Sequence, residues 1–287
     1  MGQYWQLINF DRKETSEHLG KMGEFFPQSQ EGLASVVRRL YIPASLRDAS
    51  PSKLTTSTGE LVLGLLATIP PEMIGLIFEQ VDNFADAICL GLAHQHLLSI
   101  GMKRVETLHA QEVAPWIGSR IICAGDYAND TPKGMLTPSE EKELKLKRHN
   151  IYHWASNAFK ETRLSTYLKR RAALFGRLDK KAVNEMLGKV PLAKPWMLCN
   201  LTKFECVRAE AFAKIPYVDL GHVLLSLICW SSQYDNTMSD PPSIRGKWAG
   251  DRFEITTRDR MLRLRDEAGW KDVSLPIAKR VAEIMRE

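Results

Sequence analysis

The chain has 287 residues, a net charge of +5, 44% hydrophobic residues and 25% charged residues. That is enough chain to bury a core without disulfide or metal staples, and the balance is that of a globular protein rather than a disordered or collagen-like one. No apolar run approaches the roughly 20 residues that a bilayer span needs, so no membrane partner is expected. The N-terminus has no apolar leader-like stretch, and Gln6 stands where a myristoylation signal needs Ser or Thr. A cytoplasmic or nuclear location is therefore expected.

Tyr4, Trp5, Leu7, Ile8 and Phe10 predict a strand over 3–10, closed by the polar turn Asp11-Arg12-Lys13. Residues 43–59, rich in Pro, Ser and Thr, read as a linker, and 61–109 are helical in pattern. Trp116 to Tyr127 reads as a strand. Thr137-Pro138-Ser139-Glu140-Glu141 is a helix start, with Thr as the cap, Pro first and acids in the first turn. Helical patterning continues, with breaks, to about Lys189. Residues 196–198 and 202–209 predict two strands joined by a turn, and a last helix begins near Ser274. The five cysteines (Cys89, Cys123, Cys199, Cys206 and Cys229) are odd in number and widely spaced, which speaks against a disulfide framework.

The chain resembles itself. Trp5-Gln6-Leu7-Ile8-Asn9-Phe10 aligns with Trp196-Met197-Leu198-Cys199-Asn200-Leu201, and a Glu follows each (Glu14, Glu205). Trp116-Ile117-Gly118-Ser119-Arg120-Ile121 aligns with Trp248-Ala249-Gly250-Asp251-Arg252-Phe253. Leu19-Gly20-Lys21-Met22 aligns with Leu220-Gly221-His222-Val223. Three pairs in one order point to a duplication. The stretch between the two tryptophans is far longer in the first half, so the helices of 61–110 read as an insertion. The expected fold class is α+β. The expected parts are the first portion of one unit with its linker (1–60), a helical insertion (61–110), the end of that unit with a basic segment (111–190), and a second unit (191–287).

Pro70 and Pro71 suit the entry of the first inserted helix, since their missing N–H groups would lack partners there anyway. Met73, Ile74, Ile77, Phe78 and Val81 are expected on one apolar face, and Asp82-Asn83 ends the helix and can cap the next. Residues 69–101 resemble the F-box, the segment that binds the Skp adaptor of SCF-type ubiquitin ligases. The resemblance lies in Ile69-Pro70-Pro71-Glu72, Met73-Ile74, Ile77-Phe78 and Asp82. It departs from the family at Ala93-His94 and Leu97, where F-boxes carry Cys-Lys-x-Trp-like residues. It implies a non-enzymatic receptor that docks a Skp-type adaptor through Ile69, Pro70, Glu72, Met73, Ile77, Phe78 and Val81. The α+β body would then select a target protein. Met1 to Tyr4, Asn200 to Lys203 and Trp248 to Phe253 also resemble a group of fungal proteins, a likeness that implies no activity.

Residues 142–181 hold twelve Lys or Arg against Glu143, Glu161 and Asp179. Lys147, Arg148, Arg163, Lys169, Arg170 and Arg171, with Tyr152, Trp154 and Phe159 among the basic residues, form the alternative site. Such a pattern neutralises phosphates and stacks on bases, or meets an acidic protein, although no named nucleic-acid motif is present. Enzymatic chemistry is less well supported, and no cofactor is expected. Asp126, Asp130 and Asp235 are conceivable acids, but turn-forming aspartates are commoner. His149 and His153 would share a helix face without a third metal ligand, and His94 and His96 are given no ligand role.

Overall fold

The computed structural model describes residues 2–26, 37, 39–40, 64–162, 196–213, 215, 218–234, 244–264 and 269–285. The chain forms two compact units. One is a body of Met1–Tyr41, Trp116–Thr166 and Lys194–Glu287; the other joins Ile42–Pro115 to Tyr167–Ala193.

In chain order the described elements are β1 (Tyr4–Asn9), β2 (Glu14–Thr15), β3 (Gly20–Lys21) and α1 (Met22–Phe25). The helices of the second unit follow: α2 (Pro71–Glu79), α3 (Phe84–Leu92) and α4 (Gln95–Val113). The body resumes with β4 (Ile121–Gly125), α5 (Pro138–Lys147), α6 (Ile151–Ala158) and β5 (Lys160–Glu161). It ends with β6 (Trp196–Asn200), β7 (Glu205–Arg208), α7 (Leu220–Ile228), β8 (Cys229–Trp230), β9 (Phe253–Thr257), α8 (Arg258–Leu264), β10 (Lys271–Asp272) and α9 (Ser274–Ile284). The class is α+β. One sheet runs β5-β2-β1-β4-β8, with β3 also on β1, and the other runs β10-β7-β6-β9.

Successive side chains of a strand point to opposite faces, and β1 is covered on both. Trp5 and Leu7 enter the larger core, while Ile8 and Phe10 enter a smaller one beneath α6 with Trp154 and Phe159. The larger core also takes Leu198, Trp248 and Ile255 from the second half of the chain. The two predicted strand units therefore share one core.

The two halves of the body repeat the same bonds. Asn9 pairs with Glu14 across the first hairpin, and Asn200 with Glu205 across the second. Asn9 Oδ1 accepts the Arg12 N–H at 3.0 Å, and Asn200 Oδ1 accepts the Lys203 N–H at 3.0 Å. Lys13 and Phe204 occupy the same turn position with φ of 50° and 55°. The Trp116 indole donates to Glu14 at 2.8 Å, and that of Trp248 to Glu205 at 2.6 Å. Between the halves the bonds are reciprocal. The Gly118 N–H donates to the Phe253 carbonyl at 2.8 Å and the Gly250 N–H to that of Ile121 at 2.9 Å, while Arg120 and Arg252 pair in an antiparallel bridge.

Three expectations are corrected. The stretch 116–119 is a turn rather than strand, because Gly118 takes φ +67° and the Ser119 N–H closes on the Trp116 carbonyl. Leu19-Gly20 and Leu220-Gly221 are not equivalent: Gly20 lies in β3 with φ +88°, whereas Gly221 lies in the first turn of α7. His149 lies between α5 and α6 rather than on a helix, so it shares no helix face with His153.

The predicted start of α5 is present in full. The Thr137 hydroxyl accepts the Glu140 N–H at 3.3 Å, and the Glu140 carboxylate accepts the Thr137 N–H at 2.7 Å. Replacing Thr137 by Ala removes this reciprocal cap. The expected cost is about 1 kcal/mol, read as a drop of roughly 2–4 °C in the thermal midpoint.

Candidate functional site

The helical unit is built on a small core of its own. Pro70 precedes the first turn of α2, Pro71 stands within it, and the Asn83 side chain caps α3 by accepting the Asp86 N–H at 2.8 Å. Ile74 and Phe78 point inward, where they meet Phe84, Ala87, Ile88, Leu97, Leu98, Val105 and Leu108. Close packing there depends on a missing side chain. A Cβ placed on Gly101 would stand 2.2 Å from the Phe78 ring, so only glycine lets α4 accept the ring at this point. The Val81 carbonyl, just past α2, accepts two bonds from the Arg104 guanidinium at 3.1 and 2.8 Å.

The opposite side of α2 is apolar as well. Met73, Leu76 and Ile77 are 52%, 51% and 44% exposed. Their spacing of three and four residues places them side by side on one helix face. Pro70 and Glu72 are exposed nearby in sequence, and Ile69 and Val81 are partly covered. The seven residues expected to bind a partner therefore divide. Phe78 is 1% exposed and belongs to the interior. The expectation of a single face for Met73, Ile74, Ile77, Phe78 and Val81 is thus corrected: Ile74 and Phe78 form one side, Met73 and Ile77 the other. Leu76 completes the outer stripe and was missed, although its spacing from Met73 was visible.

The basic site is described only in part. Arg163, Lys169, Arg170 and Arg171 lie outside the described residues. Lys147 and Arg148 are exposed at the end of α5. Lys147 faces Glu143 at 3.7 Å, and Arg148 takes a left-handed conformation that ends the helix. The ten residues of α5 hold three Lys against three Glu, so this helix alone is not a basic face.

The acids picked from the sequence are held by their neighbours. Asp130 takes the Arg245 guanidinium at 2.6 Å and the Ser232 hydroxyl at 3.0 Å. Burial works against its charge, but these bonds prevail and hold its carboxyl below the usual range. Asp126 accepts the Tyr4 N–H at 3.2 Å. Beside it the Tyr152 hydroxyl is 2.8 Å from His18 Nδ1. Burial first, then the charge of Asp126, pushes that phenol up to about 12, so it stays protonated, and the His18 tautomer sets which of the two groups donates. Asp235 lies outside the described residues. Among the described residues no group of three His, Cys, Asp or Glu is placed to hold a metal ion, and no helix is long and apolar enough to cross a membrane.

An ion-pair cluster around Arg120 was not foreseen. Arg120 donates to Asp11 at 2.8 Å, to the Met135 carbonyl at 2.7 Å, and in a fork to both oxygens of Glu140 at 2.9 and 3.0 Å. Arg252 reaches the same Asp11 at 2.6 Å. Burial opposes ionisation of Asp11 and Glu140, yet the guanidinium bonds outweigh it and lower both carboxyls. This cluster ties the turn after β1, the entry to β4, the entry to β9 and the start of α5 together.

No protein-family model, curated protein or solved structure matches the chain.

Proposed function

We propose that the chain is a receptor whose helical unit docks a Skp-type adaptor and whose α+β body selects a target protein. In the same reading the body is a duplicated unit, and the helices are an insertion in its first repeat. The matching hairpin and tryptophan bonds support the duplication. The insertion point is supported by Trp116 N–H donating to the Arg39 carbonyl where Trp248 N–H donates to that of Leu227. The first repeat spends residues 42–115 between those positions.

The observation that carries the docking reading is the outer stripe of α2. Single exposed apolar residues are ordinary on protein surfaces. Here three adjacent ones stand on a helix whose other side already fills its core, so folding of the unit does not account for them. An amphipathic helix laid into a hydrophobic groove recognises a partner through residues at this spacing. Pro70 and Glu72 at the N-terminal end complete the resemblance to the F-box. Enzymatic activity is not part of this reading.

The test is calorimetric titration of the purified chain with a Skp-type adaptor, beside a Met73→Asp/Ile77→Asp variant. Wild type is expected to bind saturably, and the variant to lose affinity by about a hundredfold or more, as for the loss of two central anchors. Both substitutions lie on the exposed face, so the variant's far-ultraviolet circular dichroism is expected to be unchanged. Absence of wild-type binding, or equal binding by a folded variant, would remove the adaptor role from α2.

A further inference from the structure

Beside β6 and β9 the α+β body holds a cavity of about 320 Å³. Trp196, Ala209, Phe212, Leu220 and Ile255 give it apolar walls, and among its described lining residues the one charged group is Asp219. The volume is within the range of about 300–1,000 Å³ typical of small-molecule sites.

The carboxylate decides which ligands suit the cavity. Burial opposes its charge, but the His222 ring and the N–H groups of His222 and Gly221 prevail and hold the carboxyl below the ordinary aspartate range. Those bonds, at 2.8 to 3.1 Å, all end on Oδ1. Oδ2 has no hydrogen bond among the described residues, and the side chain keeps 52% of its exposure. An anionic ligand is disfavoured because Asp219 already takes the first N–H groups of α7. A cation meets the exposed half of a carboxylate at the edge of an apolar wall, with the Trp196 indole among the lining residues.

The corresponding tryptophan of the first half is covered. Trp5 stands in β1 where Trp196 stands in β6, and Trp5 is fully buried while Trp196 is partly exposed. The architecture can therefore be packed over this strand pair, and the second half leaves it open.

We propose that this cavity binds a small organic amine, with its ammonium group at Asp219 Oδ2 and an aromatic or alicyclic body against Trp196 and Phe212. The proposal is independent of the adaptor reading, because no described residue of the helical unit lines the cavity. Tryptamine is the probe, titrated calorimetrically into the full chain beside 3-ethylindole and indole-3-propionate. Two variants accompany the wild type. Asp219→Asn removes the charge and keeps a good helix cap; Ala209→Phe fills the cavity.

Saturable binding of tryptamine is expected, with the carboxylate analogue at least about tenfold weaker. Asp219→Asn should weaken tryptamine by about tenfold and leave 3-ethylindole unchanged. Ala209→Phe should abolish both. The proposal is overturned if wild type does not bind tryptamine, if the propionate binds equally well, or if Asp219→Asn has no effect. Should Ala209→Phe fail to fold, the Asp219→Asn comparison decides alone.

Discussion

Replacing Arg120 by Ala is expected to destabilise the α+β body by about 2–3 kcal/mol, a large effect for one partly covered charge. The physical reason is what the substitution leaves behind. The guanidinium is 14% exposed and serves Asp11, Glu140 and the Met135 carbonyl at once. Without it two carboxylates remain close together, partly desolvated and without their main counter-charge. The cost falls below the about 3–5 kcal/mol of a fully buried pair, because Asp11 keeps 28% of its side-chain exposure and still faces Arg252. The thermal midpoint should fall by roughly 5–10 °C, given a body of this size. Arg252, its counterpart in the second half, is 44% exposed, so Arg252→Ala should cost no more than about 1 kcal/mol. Arg120→Lys should fall between the two, since it keeps the charge and loses the fork.

The pH dependence gives the same comparison a second reading. Asp11 and Glu140 have lowered carboxyl values in the folded state. Stability from a depressed carboxyl is fully present above its unfolded value, near 4 by model compounds, and is lost as pH falls through the folded value. The difference between wild type and Arg120→Ala should be full at pH 7 and shrink below about pH 4. A difference that stays constant between pH 7 and pH 3 would mean that the arginine contributes packing rather than charge.

The strand hairpins were legible because their signals are local. Trp-x-Leu-x-Asn carries two alternating core residues and then an Asn whose side chain ties the turn behind it, and both copies fold that way. The cap of α5 was legible for the same reason: Thr137 and Glu140 are three residues apart. The Arg120 cluster was not, since Arg120 and Asp11 are separated by 109 positions. Only the fold brings them together. The pairing of Leu19-Gly20 with Leu220-Gly221 failed because glycine serves equally in a strand with positive φ and in the first turn of a helix. The cavity at Asp219 left no trace in the sequence, because a void is a property of packing and not of any residue.

The facing of α2 shows most clearly what sequence periodicity leaves open. Met73, Ile74, Leu76, Ile77 and Phe78 spread over about 200° of the helix circumference, wider than one buried face, so spacing alone does not choose the buried side. The choice is made on the neighbouring helix, where Gly101 opens room for the Phe78 ring and a Cβ would stand 2.2 Å from it. Two substitutions on adjacent residues should then behave in opposite ways. Phe78→Ala empties the centre of a small core and should cost about 3–5 kcal/mol. A unit this size holds little reserve, so its helices should melt, with a loss of ellipticity at 222 nm and of adaptor binding together. Gly101→Ala should act in the same direction by overpacking, at about 1–3 kcal/mol. Ile77→Asp should leave the ellipticity intact and remove binding alone. If Phe78→Ala kept its helices and lost only the adaptor, the ring would belong to the docking face. The inward assignment of this side of α2 would then be wrong.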